Sequence, residues 1–394
     1  MNILYLSYWG INEPLVRSTI FPYLRIIGNI DAVKKIYLVT VERNLRTELQ
    51  RSYGISKMHW CPVYSRQLKL KILTKISDFV DFPSKIQQII ASNKVDLIMC
   101  RGVMAGALGY KAAKKSNLPL FVESFEPHAD YMVESGEWAK NRLKYLMQKK
   151  WEKKELIYAK KIITVSNNYK RYLMNERRIR SDKLDMIPCC TDTELFRFRV
   201  EDRTKVRKRL GIPSEAVVGI YVGKFGGIYY EQEAYDTFKK ADEYFGNLFR
   251  LIVLTPTDMN SVTKGIGEVG LAEKTNILYV KHEEVPQYLC GADFAFSTIK
   301  YSPSRKYCCP VKNGEYWANG LPILLTDGVG DDYQIINNEG GGALFNLARN
   351  NIEGALKKIE SILSESNYRQ KITKIAQKYR SYSIAESVYK NIIK

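Results

Sequence analysis

Residues 302–332 read SPSRKYCCPVKNGEYWANGLPILLTDGVGDD. The stretch holding Lys312, Glu315 and Tyr316 has the character of a short helix, because it runs into the Asn319-Gly320 stop and Pro322 then opens an apolar strand. A helix delivered straight into a short apolar strand is the building unit of a parallel sheet covered on both faces. The unit recurs upstream: AVVGIYVGKF (216–225), FRLIVLTP (249–256), TNILYVK (275–281) and DFAFSTI (293–299) are apolar runs with helical stretches between them. It recurs again in the first half, at NILYLSY (2–8), KKIYLVTV (34–41), VDLIMCRG (95–102), LPLFVESF (118–125) and KKIITVS (160–166). Residues 105–115 predict a helix ended by Asn117-Leu118-Pro119, and residues 352–394 are helical throughout by pattern. Periodicity lapses near IPCCTDTELFRFR (187–199).

The expected fold class is therefore α/β, with two Rossmann-like, doubly wound domains. The expected boundaries are residues 1–195 and 196–375, with a final helix at about 376–394 able to pack back on the first domain. No short-period repeat occurs, which sets aside solenoids and propellers. In doubly wound sheets ligands lie beyond the carboxyl ends of the strands, so the loops after these runs, and a central cleft between the domains, are where chemistry is expected.

Composition narrows the function. The chain has 394 residues, 45% of them hydrophobic, and its 61 Lys and Arg exceed its 42 Asp and Glu by 19. That surplus favours anionic partners. No apolar run is long enough to span a bilayer, and the opening MNILYLSYWG has no basic leader, so a cytoplasmic protein is expected. Seven Cys, with adjacent pairs at Cys189-Cys190 and Cys308-Cys309 but no C-x-x-C, argue against a zinc site or a disulfide framework. Three His exclude a His-cluster mechanism. Nucleic acid is set aside, since neither an RNP pattern nor a helix-turn-helix signature occurs.

Individual residues then stand out. Glu315, on the first turns of a helix, can accept from the vicinal diol of a ribose, while the helix N-terminus offers amides to a diphosphate; the plain alternative is a solvated helix start. His128 lies in FVESFEPHADYMVESGEW, directly after a strand, among Glu123, Glu126, Asp130 and Glu134. It is a catalytic candidate against the alternative of a buried, satisfied His, and Glu126 is the other polar anchor there. His59 and His282 read as structural. Gly10 permits close backbone approach to a diphosphate or acceptor, or simply makes a turn. Arg101 can grip an anionic acceptor or cap a helix. Residues 140–161 hold nine Lys or Arg against Glu152 and Glu155, with Leu143, Met147 and Trp151 in an apolar stripe. Such a segment reads as a helix on an anionic membrane surface, or as a packed helix with its lysines in water.

The string P-x-K-x-x-E-Y-x-A-x-G-L-P resembles the donor-site signature of the retaining glycosyltransferases of group 1, or family four, which have the GT-B architecture. Other landmarks agree in order: Val165-Ser166, Ile187-Pro188 to Asp192-Thr193 with Phe196, Gly223-Lys224, and Val285-Pro286-Gln287-Tyr288-Leu289 to Ala292-Asp293. The resemblance covers nearly the whole chain and implies that Glu315 binds the nucleotide ribose. It also implies that Lys224 supplies a cation to the diphosphate and that His128 contacts the donor sugar and the acceptor. The family's first Glu is replaced here by Tyr307, and its second cation is missing from residues 225–230. Lys312, Lys306 or Arg305 can take that work, with Tyr307 and Tyr316 beside the donor.

No D-x-D follows a strand in the donor half, so the expected mechanism uses no metal and no cofactor, with Lys, Arg and helix amides neutralising the leaving diphosphate. The expected function is retaining transfer of a sugar from a nucleotide-diphosphate donor to a lipid-linked or other glycan acceptor in polysaccharide or glycoconjugate synthesis. The place expected for it is the cytoplasm, peripheral on the inner face of the cell membrane. A GT-B nucleotide-sugar epimerase and a non-catalytic sugar-nucleotide-binding relative are the alternatives.

Overall fold

The computed structural model describes residues 1–44 and 54–394. Two compact units emerge: Met1–Pro188 with Ser383–Lys394, and Cys189–Tyr382. Among the described residues the first holds a seven-stranded, wholly parallel sheet. Its strands are β1 (Asn2–Ser7), β2 (Lys35–Glu42), β3 (Met58–Tyr64), β4 (Leu97–Arg101), β5 (Leu120–Ser124), β6 (Lys161–Thr164) and β7 (Leu184–Met186). They lie in the order 3-2-1-4-5-6-7. The second unit repeats the plan with β8 (Val217–Val222), β9 (Phe249–Leu254), β10 (Thr275–Leu278), β11 (Phe294–Ser297), β12 (Ile323–Thr326) and β13 (Gly342–Phe345), in the order 10-9-8-11-12-13. Each is a doubly wound sheet, and each reverses its winding once, at β1/β4 and at β8/β11. Those reversals open a crevice beyond the strand ends.

Burial follows the two-residue period of the strands. In the second unit Val218, Ile220, Ile252, Leu254, Ile323 and Leu325 pack on one side of the sheet, whereas Tyr221, Leu251, Val253, Phe294, Phe296 and Leu324 pack on the other. Both faces are covered by helices, which is why these runs read as continuously apolar rather than alternating.

Three strands escape the sequence pattern. MHWCPVY forms β3, and its Pro62 is tolerated because β3 is an edge strand paired only to β2. β7 and β13 are short edge strands as well. The pattern at 352–394 resolves into three helices, Ile352–Leu363, Tyr368–Arg380 and Tyr382–Ile392, rather than one continuous run.

A buried charge cluster fixes the start of β8. Asp293 accepts from Arg203 at 2.7 Å, from Arg207 at 2.6 Å and from the Val218 amide at 2.8 Å. Removing the carboxylate would leave the Arg207 guanidinium, which is 6% exposed, with its backbone carbonyl acceptors but without a counter-charge. Asp293→Ala should therefore cost the second unit about 3–5 kcal/mol, read as a lowered urea midpoint for its unfolding. A midpoint within about 0.5 kcal/mol of wild type would mean that the backbone carbonyls alone suffice for Arg207.

Candidate functional site

In the second unit the helix Val311–Ala318 carries the chemistry. Every residue from Lys312 to Ala318 is buried, so each polar side chain on it needs a partner. Asn313 donates to Asp332 at 2.8 Å, and Asp332 is in turn paired with Arg380. The Tyr316 hydroxyl accepts from the Val222 amide at 2.9 Å, and the Trp317 indole donates to the Gly341 carbonyl at 2.8 Å. Glu315 faces His282, with Oε1 and Nε2 3.0 Å apart. The carboxylate raises the His282 pKa by that hydrogen bond, against the opposing effect of burial.

Lys312 is the exception. Its ammonium makes no hydrogen bond among the described residues. It sits over the rings of Tyr221 and Tyr229, 4.6 Å from each centroid. Burial pulls its pKa down to about 7, only partly offset by Glu315. Gly223 lies beside it with a φ of 138° that favours glycine, and a Cβ there would lie 3.7 Å from Lys312 Nζ, at ordinary contact distance. Tyr316 holds this loop through Val222, and Tyr221 holds it through the Lys224 carbonyl at 2.6 Å. A cation in a dry, aromatic-walled recess at a winding reversal, next to a carboxylate, is equipped to take an anion carrying a diol.

The remaining expectations in this unit fall around that recess. Lys224 is exposed and follows Gly223 directly. Arg305 is buried in the turn Arg305–Tyr307, close enough to Tyr229 to influence its hydroxyl. Lys306 is exposed with its ammonium over the Tyr307 ring at 5.0 Å. Tyr316 is fully buried with its hydroxyl spent on Val222, so it positions the loop. His282 and the two tyrosines are additions to the sequence reading. His282 precedes the Glu283-Glu284-Val285-Pro286 helix start, a polar context that gave no hint of Glu315 thirty-three positions away.

The first unit places its candidates in a second set. His128 starts the helix His128–Glu134, and Glu126 accepts on its Nδ1 at 2.9 Å. That contact leaves Nε2 as the basic nitrogen. Tyr131 stacks on the ring and Trp138 meets it edge-on. Glu152 anchors the turn by accepting from the Ala129 amide at 2.8 Å; burial pushes its pKa up to about 7.

Gly10 is packed against Glu42, whose carboxylate accepts from the Ile11 amide at 2.8 Å, and a Cβ on Gly10 would reach Glu42 Oε2 at 2.9 Å. Arg101 is buried, ion-paired to Glu123 and stacked with Tyr23 and Phe125. Glu123 also accepts from Tyr5 at 3.1 Å and from Tyr389 at 2.8 Å. The guanidinium is thereby ion-paired within its own unit. Among the described residues no three His, Cys, Asp or Glu side chains converge as metal ligands.

Residues 36–195 match the family Glycosyltransferase Family 4. No curated protein matches. Solved structures of glycosyltransferases superpose over the whole length. The sucrose-phosphate synthase of Thermosynechococcus elongatus is 15% identical, with a TM-score of 0.74, over 99% of this chain and 98% of that one. HepE of Anabaena in complex with UDP is 14% identical, with a TM-score of 0.73, over 100% and 99%. WaaG, a glycosyltransferase involved in lipopolysaccharide biosynthesis, is 13% identical, with a TM-score of 0.68, over 100% and 99%. The fold is GT-B, with the Glycosyltransferase Family 4 match falling on the first unit and the junction that follows it.

Lys312 gives a stability signature of its own. Its folded pKa lies below its unfolded one, so the unfolded chain binds the extra proton between about pH 7 and 10.5, and wild-type stability should rise with pH across that window. Lys312→Met keeps the length without the charge. It should raise the melting midpoint most below pH 7, and the gain should shrink toward pH 10. An equal gain at every pH would contradict a dry, cationic recess.

Proposed function

We propose that the protein is a glycosyltransferase that takes a sugar from a nucleoside-diphosphate donor and moves it, with retention, to a lipid-linked or other glycan acceptor. The observation that carries this reading is the buried Lys312 ammonium, without a hydrogen bond among the described residues, beside Gly223 and Glu315. The donor's anomeric C–O bond breaks and the diphosphate departs with the electron pair. Lys312 and Lys224 neutralise that charge as it develops, and Glu315 holds the ribose diol. The acceptor hydroxyl forms the new bond to the anomeric carbon and passes its proton to the departing diphosphate oxygen, with His128, oriented by Glu126, as a polar contact to the sugars. Relatives of the same fold support the donor class, since HepE was solved with UDP and with UDP-glucose. WaaG and the galactosyltransferase WaaB, both named for lipopolysaccharide, support a glycan acceptor.

Incubation with a panel of nucleotide sugars should reveal donor hydrolysis or transfer, and donor interconversion without any acceptor would point to an epimerase instead. Glu315→Gln should weaken donor binding by about 1.5–3 kcal/mol in calorimetry while leaving the fold intact; unchanged affinity would remove Glu315 from the ribose. The anion should bind the protonated lysine, so donor affinity should fall as pH rises from 6 to 9 and binding above pH 7 should take up a proton. Lys312→Met should abolish both effects.

With lysines as the electrostatic catalyst, turnover should survive excess EDTA, and Lys224→Ala should lose at least about tenfold in rate. Loss of activity on chelation, restored by Mg²⁺ or Mn²⁺, would overturn metal independence.

A further inference from the structure

Two helices of the first unit, Lys71–Asn93 and Leu143–Tyr158, share a surface that neither the donor site nor the His128 turn uses. In the first helix Asp78, Phe82, Ile86 and Ile90 recur every fourth residue and are buried. The opposite face presents Leu73, Ile76 and Val80, again at helical spacing, to solvent. The second helix turns Tyr145, Gln148, Glu152 and Glu155 inward and exposes Leu143, Leu146 and Met147. These six exposed apolar side chains retain between 45% and 70% of their accessible surface.

The two helices meet at an aromatic seam. Phe79 and Trp151 pack with centroids 6.1 Å apart, and Lys111 lies over both rings. Lys75, close enough to Lys144 to feel its charge, marks the same seam one turn earlier. Trp151 is therefore an anchor between the helices, where the sequence pattern had suggested an inserted side chain.

Charge identifies the occupant. Residues 140–161 contain two carboxylates, Glu152 and Glu155, and both are buried, so the outward face of this segment carries cations alone. Lys140, Arg142, Lys144, Lys150 and Lys153 are all exposed there, and Lys69 and Lys75 continue the set beside the other helix. Asp78 is buried and Asp81 is paired with Arg66, which leaves that helix little negative charge to present. Exposed leucine-type side chains flanked by exposed lysines match the headgroup and acyl boundary of an anionic bilayer, and no described helix is long and apolar enough to cross one.

We propose that the paired faces of helices Lys71–Asn93 and Leu143–Tyr158 form one docking surface for an anionic lipid bilayer. The contact is peripheral and reversible, with the six apolar side chains entering the interface and the lysines engaging headgroups. It stands independently of the nucleotide-sugar reading, and it favours a lipid-linked acceptor if that reading holds.

The test is co-sedimentation with vesicles of phosphatidylcholine, with and without phosphatidylglycerol. Wild type should sediment with the anionic vesicles, remain in the supernatant with neutral ones, and be released by raised salt. Ile76→Ser with Val80→Ser, and separately Leu146→Ser with Met147→Ser, leave net charge unchanged and touch only exposed positions. Each pair should reduce partitioning by at least about tenfold, as should Lys150→Glu with Lys153→Glu. UDP binding and the melting midpoint, followed in the same preparations, should be unaffected, which separates failure of this surface from failure of the donor site.

Serine variants that bind as tightly as wild type would reduce the surface to a solvated basic face and overturn the proposal. Wild type that ignores anionic vesicles at low ionic strength would do the same. So would a concentration-dependent dimer, abolished by the serine pairs, in protein that does not bind lipid; the surface would then belong to a second copy of the chain.

Discussion

A helix buried on all sides leaves its polar side chains no access to bulk water, and the second unit is organised around that constraint. Helix Val311–Ala318 can sit where it does because Asn313, Glu315, Tyr316 and Trp317 each find a designated partner on a different neighbouring element. Those partners in turn fix the Gly223 loop, the turn at His282, the Asp332–Arg380 pair and the Gly341 backbone. One side chain, Lys312, is left without a hydrogen bond in a medium that disfavours its charge. The destabilisation is local and sits beside Gly223, and a fold that tolerates such a charge holds its electrostatics preorganised.

The first unit shows the opposite use of buried charge. Arg101 is ion-paired to Glu123, which also accepts from Tyr5 and Tyr389, so the cluster ties β1, β4, β5 and the helix Tyr382–Ile392 together at the winding reversal. Proximity to a strand end is therefore a weak guide to reactivity on its own. What separates Arg101 from Lys312 is whether the neighbourhood already supplies the counter-charge.

The fold was legible because doubly buried strands leave long apolar runs that solvent-facing strands do not, and because helix stops such as Gly320 and Pro322 punctuate them. Edge strands β3 and β13 were not legible: one tolerates Pro62 and a His, and the other begins among three glycines. At the site, Glu315 and Lys312 stood out through local spacing on one helix. Their companions did not. His282, Tyr221 and Tyr229 reach the recess from other strands and turns, and nothing in one-dimensional spacing encodes which aromatic faces will enclose a particular ammonium. The surroundings of Arg101 were hidden for the same reason, since its partner Glu123 lies on the adjacent strand, 22 residues away.

Residues 383–394 belong to the first unit although the whole second unit precedes them in the chain. On the ribosome, the second unit is thus an uninterrupted stretch that can complete itself as soon as it emerges, while the first must wait. Until Tyr389 is made, Glu123 lacks one of the hydroxyls that solvate it, and the sheet that appeared first is finished last. A chain released early would carry an intact second unit beside a first unit with an under-satisfied buried carboxylate, a difference that cellular quality control can sense through local opening.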